Sequence, residues 1–231
     1  MQSKPSAPAP QAAKPKAPVA PPEFQEGAIA KMDAAGLIRI LKDASSSEFQ
    51  KAKACQRLGE QGAKEAVPLL AALLSDEHLS VYARYGLEPI EDPSVDEALR
   101  AALTKLKGVR LVGVINSISK RRDAKAVPAL TRMMHGSDVE VARASASALG
   151  HIGGAAVAKE LQTTLGKSTG MMKAAVADAS LLCAERLLED GKRDQALAIY
   201  SWLTATDVPK AARLAAMQGI VREEVSLTRP R

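Results

Sequence analysis

From residue 26 onward the apolar positions recur at three- and four-residue spacing, which predicts helix in every periodic segment. No run alternating between apolar and polar residues suggests a strand. The helices come in a repeating order. AVPLL ends at Leu70, VDEAL at Leu99, AVPAL at Leu130 and VAKEL at Leu161, so these leucines recur at intervals of 29, 31 and 31 residues. A helix ending in a polar or glycine-bearing turn precedes each one: RLGEQGAKE, PIEDPS, SKRRDAK and LGHIGG. The unit is helix A, turn, helix B, turn. Such a unit cannot bury both of its faces alone, so neighbours must stack. The expected fold class is all-α, a right-handed α-solenoid of about five to six helical hairpins.

Local chemistry sets the expected boundaries. Ser45 and Glu48 have capping-box spacing ahead of FQKAKACQRL. Gly59, Gly150 and Gly153 stand where an A helix must stop, a place that favours residues tolerant of positive φ. Pro68 and Pro128 fall in the first turns of their B helices, where a missing amide costs little. Pro89 stops the YARYGLE helix near Glu88, and Pro93 sets the next start within a residue or two. Within YARYGLEPI, helical spacing gives an inward stripe of Leu79, Tyr82, Ala83 and Gly86. It leaves Arg84, Tyr85 and Glu88 facing elsewhere, with Arg84 and Glu88 spaced for an ion pair. Gly86 inside a helix costs about 1 kcal/mol against alanine, which close approach of a neighbouring helix would explain.

The two ends differ from the middle. Residues 1–22 hold seven prolines and six alanines, cannot form a core, and read as a disordered tether to the 23–231 solenoid. The apolar run of a secretory signal is absent from it. Ala/Pro/Lys tethers are common just after export signals, which points towards the bacterial periplasm or export, with the cytoplasm as the alternative. At the other end, Leu181–Met217 has the Ala, Gly and Tyr placement of a tetratricopeptide-like hairpin. PKAARLAAMQGIVRE then forms a last A helix with Leu214, Met217 and Ile220, and Val221 beside them, in an apolar stripe. No B helix follows it in SLTRPR. The expectation is a part of a longer protein, with self-association or domain docking through this end.

DVEVARASASALGHIGG with AVAKEL, and VRLVGVINSISKRRDAKAVPAL, resemble the HEAT-repeat pattern of the bacterial phycobilin-lyase-like type. The resemblance covers roughly residues 47–166, with 170–224 a divergent continuation. ACQRLG, YARYGLEPI and GVINSISKRRDAKAVPAL are also similar to the HEAT segment of exported multidomain proteins of planctomycete-type bacteria. The resemblance implies a scaffold, because HEAT arrays mostly serve as one. A phycobilin-lyase activity would require a bilin pocket with several aromatics and a carboxylate on one face; the six aromatics here are scattered.

Composition and charge narrow the chemistry. A chain with 46% apolar and 3% aromatic residues buries surface through many small contacts. No apolar run is long enough to span a membrane. The net charge is +6, and the tail supplies Lys4, Lys14 and Lys16 without an acid. Cys55 and Cys183 fall among Ala and Leu and read as unpaired core thiols. His78, His135 and His151 sit at helix edges or turns. The His-Glu dipeptides that hold iron in HEAT-type hydroxylases are absent, and Glu77-His78 has the reverse order. Without a phosphate loop, a nucleophile elbow or a zinc spacing, the sequence predicts no catalytic residues, no metal, no cofactor and no enzyme.

Candidate contacts with a protein partner, or with another domain of the same polypeptide, are Arg100 and Arg132 on the B helices and Arg84 and Tyr85 on an A helix. The B helices are expected to line the concave face. The leading function is therefore a non-catalytic scaffold for protein–protein interaction. A nucleic-acid-binding protein is the first alternative, with Lys120-Arg121-Arg122 and Lys125 as its best feature. That basic run is interrupted by Asp123 and has no aromatic interleaving. A lyase-type HEAT enzyme, or an accessory module of a larger enzyme, is the second alternative.

Overall fold

The computed structural model describes residues 27–228, and the side chains of 27–225. The tether at 1–22 lies outside the described residues. Among those described, every regular element is helical. Twelve α-helices follow one another: α1 (Ala34–Lys42), α2 (Glu48–Glu60), α3 (Val67–Ala72), α4 (Ser80–Leu87), α5 (Pro93–Ala102) and α6 (Gly108–Arg121). Then come α7 (Val127–Met134), α8 (Val139–Ile152), α9 (Ala155–Lys167), α10 (Gly170–Glu189), α11 (Arg193–Ala205) and α12 (Lys210–Thr228). The even-numbered helices from α2 to α12 are the A helices, and the odd ones from α3 to α11 are the B helices. The array is an α-solenoid.

Short polar side chains start these helices. Asp92 accepts the Ser94 amide and caps α5 directly ahead of Pro93, while Asp138 accepts the amides of Glu140 and Val141 at the head of α8. Pro68 and Pro128 occupy the first turns of α3 and α7. The capping box of α2 is displaced from the expected one. Ser47 accepts from the Gln50 amide, and the Gln50 side chain accepts from the Ser47 amide. Ser45 instead bonds Asp43 in the preceding turn, so Glu48 opens the helix rather than closing its cap.

The repeat leucines Leu70, Leu99, Leu130 and Leu161 are all fully buried, one from each of the first four B helices. Ahead of them, α1 covers the side of α2 with Leu37 and Leu41. Asp33 caps α1 by accepting the Gly36 amide at 2.8 Å.

Two glycines work differently from expectation. Gly59 and Gly150 lie inside α2 and α8, and only Gly153 takes a positive φ, +73°. A Cβ on Gly59 would come within 2.6 Å of the Gly86 carbonyl oxygen, and one on Gly86 within 2.5 Å of the Cys55 carbonyl oxygen. A Cβ on Gly150 would meet the Ala179 carbonyl oxygen at 2.5 Å. These glycines are the points where A helices touch main chain to main chain, as the Gly86 expectation required.

The α4 stripe is also rotated. Leu79, Ala83, Gly86 and Leu87 are buried, but Tyr82 is 40% exposed at the edge facing α2. Arg84 and Glu88, expected to face elsewhere, turn into the groove against α6, where Gly113 and Ser117 leave room for them. Arg84 Nη1 donates to Ser117 Oγ at 3.4 Å, Ser117 Oγ donates to Glu88 Oε1 at 2.8 Å, and Lys120 Nζ donates to Glu88 Oε2 at 2.8 Å. Arg121 fastens the α4–α5 turn. Its guanidinium donates to the Asp96 carboxylate and to the carbonyls of Glu88 and Ile90, the latter at 2.9 and 2.8 Å. The planar guanidinium serves the carboxylate and both carbonyls at once, and the Ile90 carbonyl also accepts the Asp92 amide at 3.0 Å.

In the last hairpin, Tyr200 is buried and its hydroxyl donates to Glu185 Oε1 at 2.5 Å. Arg222 of α12 donates to both oxygens of the same carboxylate. Gly219 admits the ring, since a Cβ there would lie 2.7 Å from it. One acid, one phenol and one guanidinium thus join α10, α11 and α12.

Candidate functional site

The B-helix face holds a cleft of about 460 Å³ between the C-terminal part of α5, α7 and the turn into α8. Leu103, Ala129, Met133 and Val141 form its apolar surface, and Arg100, Arg132 and Asp138 its charged rim. The sequence builds it from short elements. The eight residues of α7 start at Val127, ahead of Pro128, and end before a Gly136-Ser137 turn that Asp138 converts into the cap of α8. Asp138 is therefore committed to amides of α8. Arg100 pairs with Asp123, whose side chain is 6% exposed. Arg132 is exposed and has no charged partner among the described residues. The cleft thus combines an apolar floor with one cation, Arg132, that makes no ion pair among the described residues.

Of the four candidate contact residues, the structure brings Arg100 and Arg132 together at this cleft. Arg84 and Tyr85 stand on α4 in the other layer. Arg84 is engaged with Glu88 and Ser117, whereas Tyr85 is 56% exposed. A further cleft of about 520 Å³ on the A layer is lined by Phe49, Lys53 and Tyr82. Helical spacing puts Tyr82 in the inward stripe, so the sequence pattern does not show this aromatic edge.

The first three residues of the basic run, which end and cap α6, are each paired with an acid of the chain. Lys120 pairs with Glu88, Arg121 with Asp96, and Arg122 with Glu189 at 3.0 Å. Arg122 takes a left-handed conformation, φ +55°, and closes α6. His135 faces Glu160 at 2.9 Å and His78 faces Glu48 at 3.9 Å. Among the described residues, no three His, Cys, Asp or Glu side chains gather as metal ligands would. No described helix is long and apolar enough to cross a membrane. Cys55 and Cys183 are buried, and burial pushes their thiols up to about 12 and about 11. Thiols held that far above neutral pH are poor nucleophiles.

No family model matches the sequence, and no curated protein matches it either. Among solved structures, the chain is similar to one described as the complex of CpcE and CpcF of phycocyanin lyase from Nostoc sp. PCC7120. The identity is 14% and the TM-score 0.43, over 95% of this chain and 94% of that one. The expectation that the chain is not an enzyme is corrected by this finding: a structure it resembles along its length belongs to a lyase complex, and the exclusion of enzymatic activity is withdrawn.

Proposed function

We propose that the protein is a scaffold that holds an extended segment of a protein partner along its B-helix face, anchored at the Arg100–Arg132 cleft. The observation that carries this reading is the unpaired Arg132 above an apolar floor. Such a site takes an acidic side chain beside an aliphatic one. Arg100, held by its ion pair with Asp123, supplies a second wall in a set position. Pairing of Lys120, Arg121 and Arg122 within the fold supports a protein ligand over a phosphate backbone, which needs several cations free on one face. In this reading residues 1–22 are the tether and 23–231 the binding unit. The resemblance to HEAT segments of exported multidomain proteins of planctomycete-type bacteria supports a partner segment carried in the same polypeptide.

Selection of peptides from a random library against the full chain tests the proposal. The selected peptides are expected to share an acidic residue next to an aliphatic one. Arg132→Glu should weaken their binding about tenfold or more while leaving the unfolding midpoint unchanged. Peptides that bind Arg132→Glu as tightly as the original chain would remove the cleft from the function.

A further inference from the structure

The last helix has two apolar faces. Ala212, Ala216 and Gly219 are buried towards the preceding hairpin. On the opposite side Leu214, Met217, Val221 and Val225 are 48%, 51%, 57% and 49% exposed. Ile220, which the sequence spacing placed in the stripe, is partly buried instead, and Val225 extends the exposed row. A helix on a protein surface ordinarily carries one apolar stripe; a second, opposite one marks a covered face. Leu214, Met217 and Val221 border a shallow groove of about 370 Å³ there.

Charge selects the occupant. Lys210 and Glu224 lie fourteen residues apart, about 21 Å along the axis, on the same side of the apolar row. Both are exposed, and neither has an ion-pair partner among the described residues. We infer that this face pairs with the same face of a second copy, antiparallel, about a two-fold axis near Met217 and Gln218. That axis sets Leu214 of each copy against Val221 of the other, and Lys210 level with Glu224. A parallel arrangement would put Lys210 beside Lys210 and Glu224 beside Glu224, so the ends themselves choose the direction. An isologous contact of this kind closes on itself and gives a dimer rather than a fibre.

Sedimentation equilibrium of the full chain over a range of concentrations tests the inference. The wild type should dimerise, and Val221→Lys should raise the dissociation constant about tenfold or more. Its helicity by circular dichroism should not change, because Val221 is outside the core. Lys210→Glu and Glu224→Lys should each weaken the dimer by opposing like charges. The double variant should return to within about threefold of wild type, because the pair is restored with its signs exchanged. A wild-type monomer at every concentration would overturn the proposal, and point to another domain as the occupant of this face. A dimer that the charge exchange fails to rescue would overturn the antiparallel arrangement.

Discussion

Between α2 and α4, and again between α8 and α10, the A layer brings main chain against main chain at Gly59, Gly86 and Gly150. Between α5 and α7 the B layer instead leaves a cleft walled by side chains. Both layers are made from the same kind of amphipathic helix, so the difference comes from residue size at the contact. Where a missing Cβ lets backbones touch, spacing and register are set to within tenths of an ångström. Where Leu, Met and Arg stand between helices, their side chains leave a gap open to solvent. The first kind of contact holds the shape of the stack, and the second is where the proposed partner segment would sit.

The largest effect is expected from Leu130→Ala in α7, about 2–5 kcal/mol in denaturant unfolding, because the side chain is fully enclosed. A neutral result would mean that the B layer contributes little to the core, and the comparison would reduce to the A layer alone. A sharper test uses one substitution in both layers. Gly86→Ala should destabilise by about 1–3 kcal/mol, since its Cβ would meet the Cys55 carbonyl oxygen at 2.5 Å. Gly166→Ala in α9 meets nothing within 4 Å and should stabilise by about 0.5 kcal/mol through helix propensity. Equal signs at the two positions would show that main-chain contact is not what distinguishes the layers.

The smallest effect concerns the junction of α10, α11 and α12. Burial opposes ionisation of Glu185, yet the hydrogen bonds from Tyr200 and Arg222 prevail and hold its carboxyl below the ordinary value. A carboxyl lowered in the folded state adds stability that is complete above the ordinary glutamate value of about 4.3. That stability is lost as pH falls through the lower folded value. Glu185→Gln should therefore flatten the acid limb of the stability–pH curve and change little in its shape above neutral pH. An unchanged acid limb in this variant would show that the carboxylate contributes nothing to the junction.

The leucine period and the helix order were legible in the sequence because they depend on contacts within one repeat. Leu70, Leu99, Leu130 and Leu161 recur at the pitch of the array and all are buried. The role of the glycines is not legible in the sequence, for the opposite reason. Gly150 near the end of an A helix looks like a stop, and its actual neighbour Ala179 belongs to the next hairpin. Periodicity alone does not fix where the buried arc of an eight-residue helix is centred, so the stripe it predicts includes Tyr82. Arg100 and Arg132 were legible as charges on B helices. Which of them would remain unpaired was not, since that depended on Asp123 from the turn after α6. Arg84 and Tyr85, adjacent in sequence, separate into a half-buried pair member and an exposed ring because α6 presents Gly113 and Ser117 beside only one of them.

The ties between helices reach only to the next repeat in most cases. Arg121–Asp96, Arg84–Ser117 and Arg222–Glu185 join residues 25, 33 and 37 apart, while the exposed Arg122–Glu189 pair reaches across two repeats. A chain emerging from the ribosome therefore has the partners of each hairpin already at hand, or about one hairpin away. Each new A helix then finds its docking surface on the one before it. The glycine contacts define the edge each hairpin meets: with Gly86 seated against the Cys55 carbonyl, α2 and α4 present one closely packed surface to the next repeat.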